Sequence, residues 1–318
     1  MKIIPLGNNR RELRMNFQEQ EYFLAIAKHK NLTKAAQELY VSQPTLTKFL
    51  QKLEKNLGGK LFRKEGHTYN LTFLGQRYLA YAQKIATLNQ DWEKELLDMR
   101  SSFKGELNIA FPPMRSMCII PQILPEFHKL HPAVHINFYE QGHNIQDSVL
   151  NDGKLDFAIF SDWKPHPNLS YEHLIDEEIV LILPKDHEFL KFAKQKSGFR
   201  YPWLDLKLLK DTPFILHFPD QNTGRSSEQL FQQYDIKPPV PFRTRSSQLC
   251  IQLVAQNLGA CLAPETYALH GASMLPISIC SVGEQPIVNR LVLAYRQNSY
   301  LSTYAQDFIR IAKIKLQR

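Results

Sequence analysis

The chain has 318 residues, 43% of them hydrophobic, and a formal net charge of +8; this exceeds the length at which single cores stop growing, so two or more domains are expected. No apolar run approaches the ~20 residues a membrane span requires, and the N-terminus lacks the apolar stretch of a secretion signal, so a soluble, cytoplasmic protein with no membrane partner is expected. The four cysteines, Cys118, Cys250, Cys261 and Cys280, show no C-x-x-C spacing and are too few for a disulfide framework, so they read as buried free thiols.

The charge is unevenly placed. Residues 1–101 hold 17 Lys+Arg and 10 Asp+Glu, a surplus of +7, whereas residues 102–318 hold 22 and 21, a surplus of +1. A basic first third calls for an anionic partner, most commonly nucleic acid. No segment there combines a Lys/Arg face with a broad aromatic face, as a membrane-surface helix would.

In chain order, Phe23, Leu24, Ile26 and Ala27 form an apolar stripe in a helix from about Phe17 to His29. Thr33 is the expected N-cap of a short second helix with Ala35, Ala36 and Leu39 inward. After a tight turn at 40–42, Ser42 caps a third helix, with Pro44 in its first turn where the missing N–H costs nothing. Leu46, Leu50, Leu53 and Leu57 share one face of that helix, and Pro44, Lys48, Gln51, Lys52 and Lys55 share the other, flanked by Thr45 and Thr47. Gly58 and Gly59 end it. This is a helix-turn-helix whose second helix can enter a major groove, where Gln suits adenine, Lys suits guanine and a Thr methyl suits thymine. A solvated polar face would show the same periodicity, and the charge asymmetry favours DNA.

The stretch "KLFRKEGHTYNLT" alternates around Glu65-Gly66 and reads as a wing, with Arg63, Lys64 and His67 towards phosphates or the minor groove. From Thr72 to about Arg100 a helix is expected, with Tyr78, Ala82, Ile85, Leu88, Trp92, Leu96 and Met99 recurring as in a two-helix seam. Such a helix would be ~40 Å long and points to a dimer on two half-sites.

The stretch "AAQELYVSQPTLTKFLQKLEKNLGGKLFRK", with "LTFLG" and a long helix after it, resembles the DNA-binding half of the LysR-type transcriptional regulators. Ala35-Ala36, Ser42-Gln43-Pro44, Leu53-Glu54, Leu57-Gly58 and Leu61-Phe62-Arg63 carry the likeness, and Thr47 and Phe49 depart from it, so half-site sequence does not transfer. The resemblance implies a dimer or dimer of dimers on double-stranded operator DNA, a small-molecule effector, RNA polymerase as a further partner, and no cofactor. It also implies that such a protein begins at Met15, leaving residues 1–14, with Arg10, Arg11 and Arg14, as a disordered extension. Expected DNA contacts are Thr33, Lys34, Gln43, Pro44, Thr45, Thr47, Lys48, Gln51, Lys52, Arg63, Lys64 and His67.

Past Lys104 the texture becomes strand and helix in alternation. The strands "ELNIAF", "VHINFY" and "LDFAIF" enclose helices at Met117–Leu130 and Asn144–Asn151; "PFILHF", "VPFRTR" and "GACLAP" enclose Gly224–Tyr234 and Ser247–Asn257. Two βαβαβ units imply two parallel sheets covered by helices, with "RLVLAY" and a helix at Tyr300–Leu316 returning to the first. Two lobes with a cleft resemble a periplasmic-type binding fold, and behind the DNA-binding half they resemble that family's effector domain. The expected organisation is an extension at 1–14, a winged helix-turn-helix at 15–74 and a linker helix at 75–101. Effector lobe I then takes 105–173 and 270–318, and lobe II takes 174–269.

Ligands in such units sit at strand carboxyl ends, near helix N-termini. Candidate effector contacts there are Met114, Arg115, Ser116 and Met117, then Phe160 and Phe218, then Asn222, Thr223 and Gly224, then Arg245, Ser246 and Ser247. Ser116, Thr223 and Ser247 are expected to hydrogen-bond a small anion, with Arg115 or Arg245 as counter-charge. Ordinary N-caps with solvent-facing arginines are the alternative. His128, His131 and His135 cannot share a helical face past Pro132, so no metal site is expected. Glu177-Glu178 and Asp152/Asp156 read as solvated strand edges. No G-x-S-x-G, H-E-x-x-H, G-x-G-x-x-G or phosphate-loop motif is present, so catalysis has no support. A solute-binding protein with an oligomerising N-terminus, and an enzyme with an appended DNA-binding module, remain the alternatives.

Overall fold

The computed structural model describes residues 17–66, 68–99, 105–141, 145–151, 154–161, 164–271 and 274–317. The expected extension 1–14, Met15, His67, Arg100, Asn144 and Asp152 lie outside the described residues. Contacts divide the chain into two compact units that meet between Leu96 and Leu97.

The first unit contains α1 (Phe17–His29), α2 (Leu32–Glu38), α3 (Gln43–Leu57), β1 (Phe62–Glu65), β2 (Thr68–Leu71) and most of α4 (Phe73–Met99). Helix α3 starts where Ser42, in extended conformation, accepts the Thr45 N–H at 3.3 Å, and it stops where Gly58 turns left-handed at φ 70°. Its Leu46, Leu50 and Leu53 are buried against Phe23 and Ile26 of α1, Ala35 and Ala36 of α2, and Leu61. Each such leucine contributes about 1.5–3 kcal/mol, so this face fixes how α3 is rotated. Leu57 is only partly buried at the edge of that cluster. Helix α2 is capped differently from expectation: Asn31 accepts the Lys34 N–H at 3.0 Å, and Thr33 lies inside the helix.

Glu54 is the one charged side chain of α3 turned inward. Its Oε1 accepts the backbone N–H groups of Leu61 at 2.9 Å and Phe62 at 3.3 Å, and Oε2 accepts from Lys60 Nζ at 2.7 Å. The carboxylate thus fastens the start of the wing to the end of α3. Strands β1 and β2 pair antiparallel from Phe62 opposite Leu71 to Glu65 opposite Thr68, around Gly66 at φ 61°. Thr72 then caps α4 through the Gly75 N–H at 3.0 Å. Gly75 admits no side chain, because a Cβ there would lie 2.0 Å from the Leu61 carbonyl oxygen.

The expected seam along α4 divides in two. Tyr78 and Ala82 are buried in the core of the first unit, whereas Leu88, Trp92 and Met99 are exposed. A 3.5-residue period does not distinguish a partner within the chain from one outside it.

In the second unit β3 (Gly105–Phe111) lies between β4 (Val134–Glu140) and β5 (Phe157–Ser161), all parallel. Antiparallel β11 (Val288–Arg296) joins β5 to β6 (Leu169–Pro184). Helices α5 (Arg115–Leu130), α6 (Ile145–Asn151) and α9 (Thr303–Leu316) belong to this lobe, and Phe127 of α5 stacks edge-on against Phe308 of α9 at 5.4 Å. The second lobe contains β7 (Ile215–His217), α7 (Asn222–Gln233), β8 (Phe242–Thr244), α8 (Ser247–Ala255), β9 (Cys261–Pro264) and β10 (Ile277–Cys280). Strands β7 and β8 are parallel, and a parallel bridge from Phe214 to Ala260 leads on to β9.

Strand β6 is continuous through both lobes. Nine of its first ten residues pair with β11, Leu174 being skipped at a bulge, and Ile179–Pro184 pair with β9 and β10. Two of the expected boundaries shift accordingly. Strand β6 pairs with β11 as far as Glu178 and with β9 from Ile179, so the crossing falls at Glu178–Ile179 rather than at 174. Strand β10, expected in lobe I with residues 270–318, pairs with the far half of β6, and Cys280 and Val282 pack in the second lobe's core. The return crossing is therefore at Ile287–Val288, where the Ile179 N–H bonds the Ile287 carbonyl at 2.8 Å. All four cysteines are free and buried.

Because Glu54 satisfies two wing amides at once, Glu54→Ala leaves a buried donor at Leu61 and is expected to cost the first unit about 2 kcal/mol. Amide hydrogen exchange should show Leu61 and Phe62 losing protection in that variant, with Glu54→Gln, which keeps an acceptor, intermediate.

Candidate functional site

Opposite its leucines, α3 exposes Gln43, Pro44, Thr45, Lys48, Gln51 and Lys52, with Thr47 half-buried beside them. Thr33 and Lys34 of α2, and Arg63 and Lys64 of the wing, are also exposed. None of Lys34, Lys48, Lys52, Arg63 and Lys64 is paired with a carboxylate among the described residues. Lys28 and Lys60 do have partners, Glu38 at 2.8 Å and Glu54 at 2.7 Å. Lys28, then His29, hold the Glu38 carboxyl below the usual range. Free cations thus collect on and beside the polar face of α3.

Local bonds decide what that face can offer. The Thr47 hydroxyl donates back to the Gln43 carbonyl at 2.9 Å, and the Thr45 hydroxyl shares a 2.8 Å bond with Ser42. Their oxygens being engaged, these threonines present methyl groups, which suit a thymine methyl better than a hydrogen-bonding edge. Thr33 Oγ1 donates to Gln43 Oε1 at 3.1 Å, which leaves the Gln43 amide nitrogen free to donate. Arg63 and Lys64 are adjacent on β1 and so leave opposite faces of the hairpin.

The second candidate site is a cavity of about 660 Å³ in the second unit. It lies at the carboxyl ends of β3, β5, β7 and β9, marked by Pro112, Ser161, His217 and Pro264, and at the N-terminal ends of α6, α7 and α8. This is where open parallel sheets take ligands. Of the candidate effector contacts, Phe160, Asn222, Thr223, Arg245 and Ser247 line it.

The others are elsewhere. Arg115 is 1% exposed, and its guanidinium meets Glu177 in a two-pronged pair at 2.6 and 3.1 Å, lies over the Tyr267 ring, and donates to Thr266 at 2.9 Å. Burial works against its charge, but Glu177 more than compensates and the pKa is raised. Arg115 is therefore no free counter-charge. The Ser116 hydroxyl turns outward to Glu140 at 2.9 Å, and Met117 is exposed away from the cavity. Met114 is buried at φ 71°, where it opens α5. Ser246 is used as the cap of α8. Gly224 is structural, since a Cβ would lie 2.2 Å from the Phe218 carbonyl oxygen. Phe218 carries the Arg245 guanidinium on its ring at 4.9 Å, and Arg245 also meets Asp220 at 2.9 Å.

Glu177 and Glu178, expected to be solvated, are 1% and 5% exposed. Glu177 accepts from Asn289 as well as Arg115; Asn289 also donates to Ser161 at 2.8 Å and accepts from Asn222 at 3.0 Å. One polar network therefore runs from the cavity wall through both crossing strands to α5. Burial raises the Glu178 pKa.

His217 and Tyr267 are lining residues that the sequence reading missed. His217 closes an apolar strand run, which was the available signal. It is buried, its Nε2 lies 2.9 Å from the Ser247 hydroxyl, and burial pushes its pKa down to about 4.

Residues 17–76 match the model of the bacterial regulatory helix-turn-helix protein, lysR family, and residues 100–317 match that of the LysR substrate binding domain. The chain is similar to the uncharacterized HTH-type transcriptional regulator YcgK of Bacillus subtilis, at 26% identity over 314 residues and 96% of each chain. It is also similar to the HTH-type transcriptional activator CmpR of Synechocystis, at 27% identity over 91% of this chain and 92% of that one. Among solved structures it resembles a full-length OxyR from Pseudomonas aeruginosa, with TM-score 0.69, 21% identity and coverage of 96% and 95%. Full-length CbnR complexed with its target DNA gives TM-score 0.62, 20% identity and coverage of 95% and 100%.

A histidine whose folded pKa is about 4, against ~6.5 unfolded, binds fewer protons folded than unfolded between those values. Its contribution is present above pH ~6.5 and is lost as the pH falls towards 4, up to about 3 kcal/mol in all. Replacing it by His217→Gln should flatten the decline in urea stability over that window.

Proposed function

The chain belongs to the LysR family of transcriptional regulators, with a DNA-binding helix-turn-helix and an effector-binding domain, and we propose that α3 reads operator bases while a small anion in the cavity sets operator occupancy. The observation that carries the DNA half is the division of α3 into a buried leucine face and an exposed face of glutamine, threonine methyls and unpaired lysines. Seated in a major groove, Lys48 and Gln43 take base edges, Thr45 and Thr47 meet thymine methyls, and Lys34, Lys52 and Arg63 take phosphates. The exposed Leu88, Trp92 and Met99 of α4 support a second copy alongside, which supplies the second half-site. Among the described residues no helix is long and apolar enough to cross a membrane.

The ligand half rests on two helix N-termini, α7 and α8, opening on one cavity with Thr223, Ser247 and Arg245 at its wall. Their partial positive charge and hydroxyls suit a carboxylate or similar anion, which would compete with Asp220 for Arg245. A ligand acts only through a difference in affinity between two arrangements of the lobes. The Asn222–Asn289 bond gives it a route, because it ties the cavity wall to a crossing strand.

Fluorescence anisotropy with a labelled duplex from the region upstream of the coding sequence tests the DNA half. Lys48→Ala and Gln43→Ala should each weaken specific binding by ~1–3 kcal/mol. Arg63→Ala should weaken all duplexes alike and reduce the salt slope by about one. Thermal shifts across a panel of small carboxylates and phosphates test the ligand half. A stabilising anion should lose its effect in Ser247→Ala and in Thr223→Ala and keep it in Ser116→Ala.

A further inference from the structure

Tyr40 is the turn residue between α2 and α3, and it combines two features that work against folding. The residue is 97% exposed, and its backbone is left-handed at φ 54°. The left-handed region is unfavourable for any residue with a Cβ other than Asn or Asp, and an exposed ring contributes none of the burial that makes aromatics stabilising. The turn requires the left-handed backbone but not the ring. Leu39 and Val41 on either side pack against the core, and backbone bonds from Val41 N–H to the Ala36 carbonyl at 3.0 Å and from Tyr40 N–H to the Gln37 carbonyl at 3.3 Å close it. A glycine would take the same conformation without strain. Among the described residues the Tyr40 side chain has no hydrogen bond and no ring partner.

Its position indicates what the ring meets outside the chain. Tyr40 is two residues before Ser42, the cap of α3, so its Cα lies within about 7.6 Å of the helix entrance. The same end of α3 exposes Gln43, Pro44 and Thr45. With that end in a major groove, a side chain one turn behind it reaches the sugar-phosphate wall, and tyrosine hydroxyls are among the groups that bond phosphate oxygens there. We infer that Tyr40 is a phosphate contact: its phenol donates a hydrogen bond to the DNA backbone at the edge of the groove and fixes the depth at which α3 docks. This rests on the docking of α3 proposed above and adds to it a residue outside the basic set.

The test compares Tyr40→Phe and Tyr40→Gly with Lys48→Ala in the full chain, using the upstream duplex and a random-sequence duplex of equal length at several salt concentrations. Both Tyr40 variants should lose about tenfold in affinity for both duplexes, the effect of one hydrogen bond to a charged acceptor. The salt slope should not change, because a neutral phenol displaces no counter-ion. Tyr40→Gly should melt at or above the wild-type temperature. Wild-type affinity in Tyr40→Phe would remove the hydroxyl from the interface and overturn the inference. A Tyr40→Gly protein melting well below wild type would make Tyr40 a folding residue, and a loss confined to the upstream duplex would make it a base reader; either sinks the phosphate contact. Silent Tyr40 variants beside a weakened Lys48→Ala refute Tyr40 alone, whereas silence in all three refutes the docking of α3 and Tyr40 with it.

Discussion

The arrangement of the second unit depends on one buried ion pair. Arg115 and Glu177 are both almost wholly removed from water, so each charge is tolerable only while the other is in place. The pair joins the first turn of α5 to the strand that passes between lobes, and Thr266, Ser161 and Asn289 bond its remaining terminal groups, while Arg115 Nε stays buried without a hydrogen-bond partner among the described residues. Nothing apolar at that point would fix the direction in which α5 leaves the sheet, since a hydrophobic contact accepts many orientations and a two-pronged guanidinium–carboxylate pair accepts one. The cavity wall inherits this precision through Asn222 and Asn289.

The first unit solves a related problem without buried ion pairs on its working face. Three leucines rotate α3, and Glu54 holds the wing to its far end, so the lysines on the opposite side are left without acidic neighbours. Pairing them would make the surface electrically quieter and weaken its attraction for a polyanion. Lys28 and Lys60, lying off that face, are paired. The same side chain type is thus unpaired on the polar face of α3 and paired where it lies elsewhere in the unit, on α1 and in the segment after α3.

How much of this was legible in the sequence depends on the range of the interaction involved. Ser42, Pro44, the leucine spacing and Gly58 act within a few residues, and α3 could be read from them end to end. The wing was legible for the same reason, from alternation around Glu65-Gly66. Asn31 and not Thr33 caps α2, and since both side chains can cap, only the backbone angle at each decides. The apolar spacing along α4 is legible in the sequence, but spacing alone does not tell that Tyr78 and Ala82 are buried in the first unit while Leu88, Trp92 and Met99 are exposed. Arg115 shows the limit most clearly: whether an arginine at a helix start meets water or a carboxylate is settled by Glu177, 62 positions away. The same holds for His217 and for the crossing of β6, which continues as one strand through the point where its pairing partners change from β11 to β9 and β10.

The continuity of that strand has a mechanical consequence. At the junction β6 lies hydrogen-bonded beside the start of β11, so the lobes are connected by a two-ply ribbon and not by loose cord. A ribbon resists flexing in its own plane and yields to twisting, the deformation that strands already favour. A displacement of one lobe against the other is therefore taken up more easily as a twist of this two-stranded ribbon than as a bend within its plane.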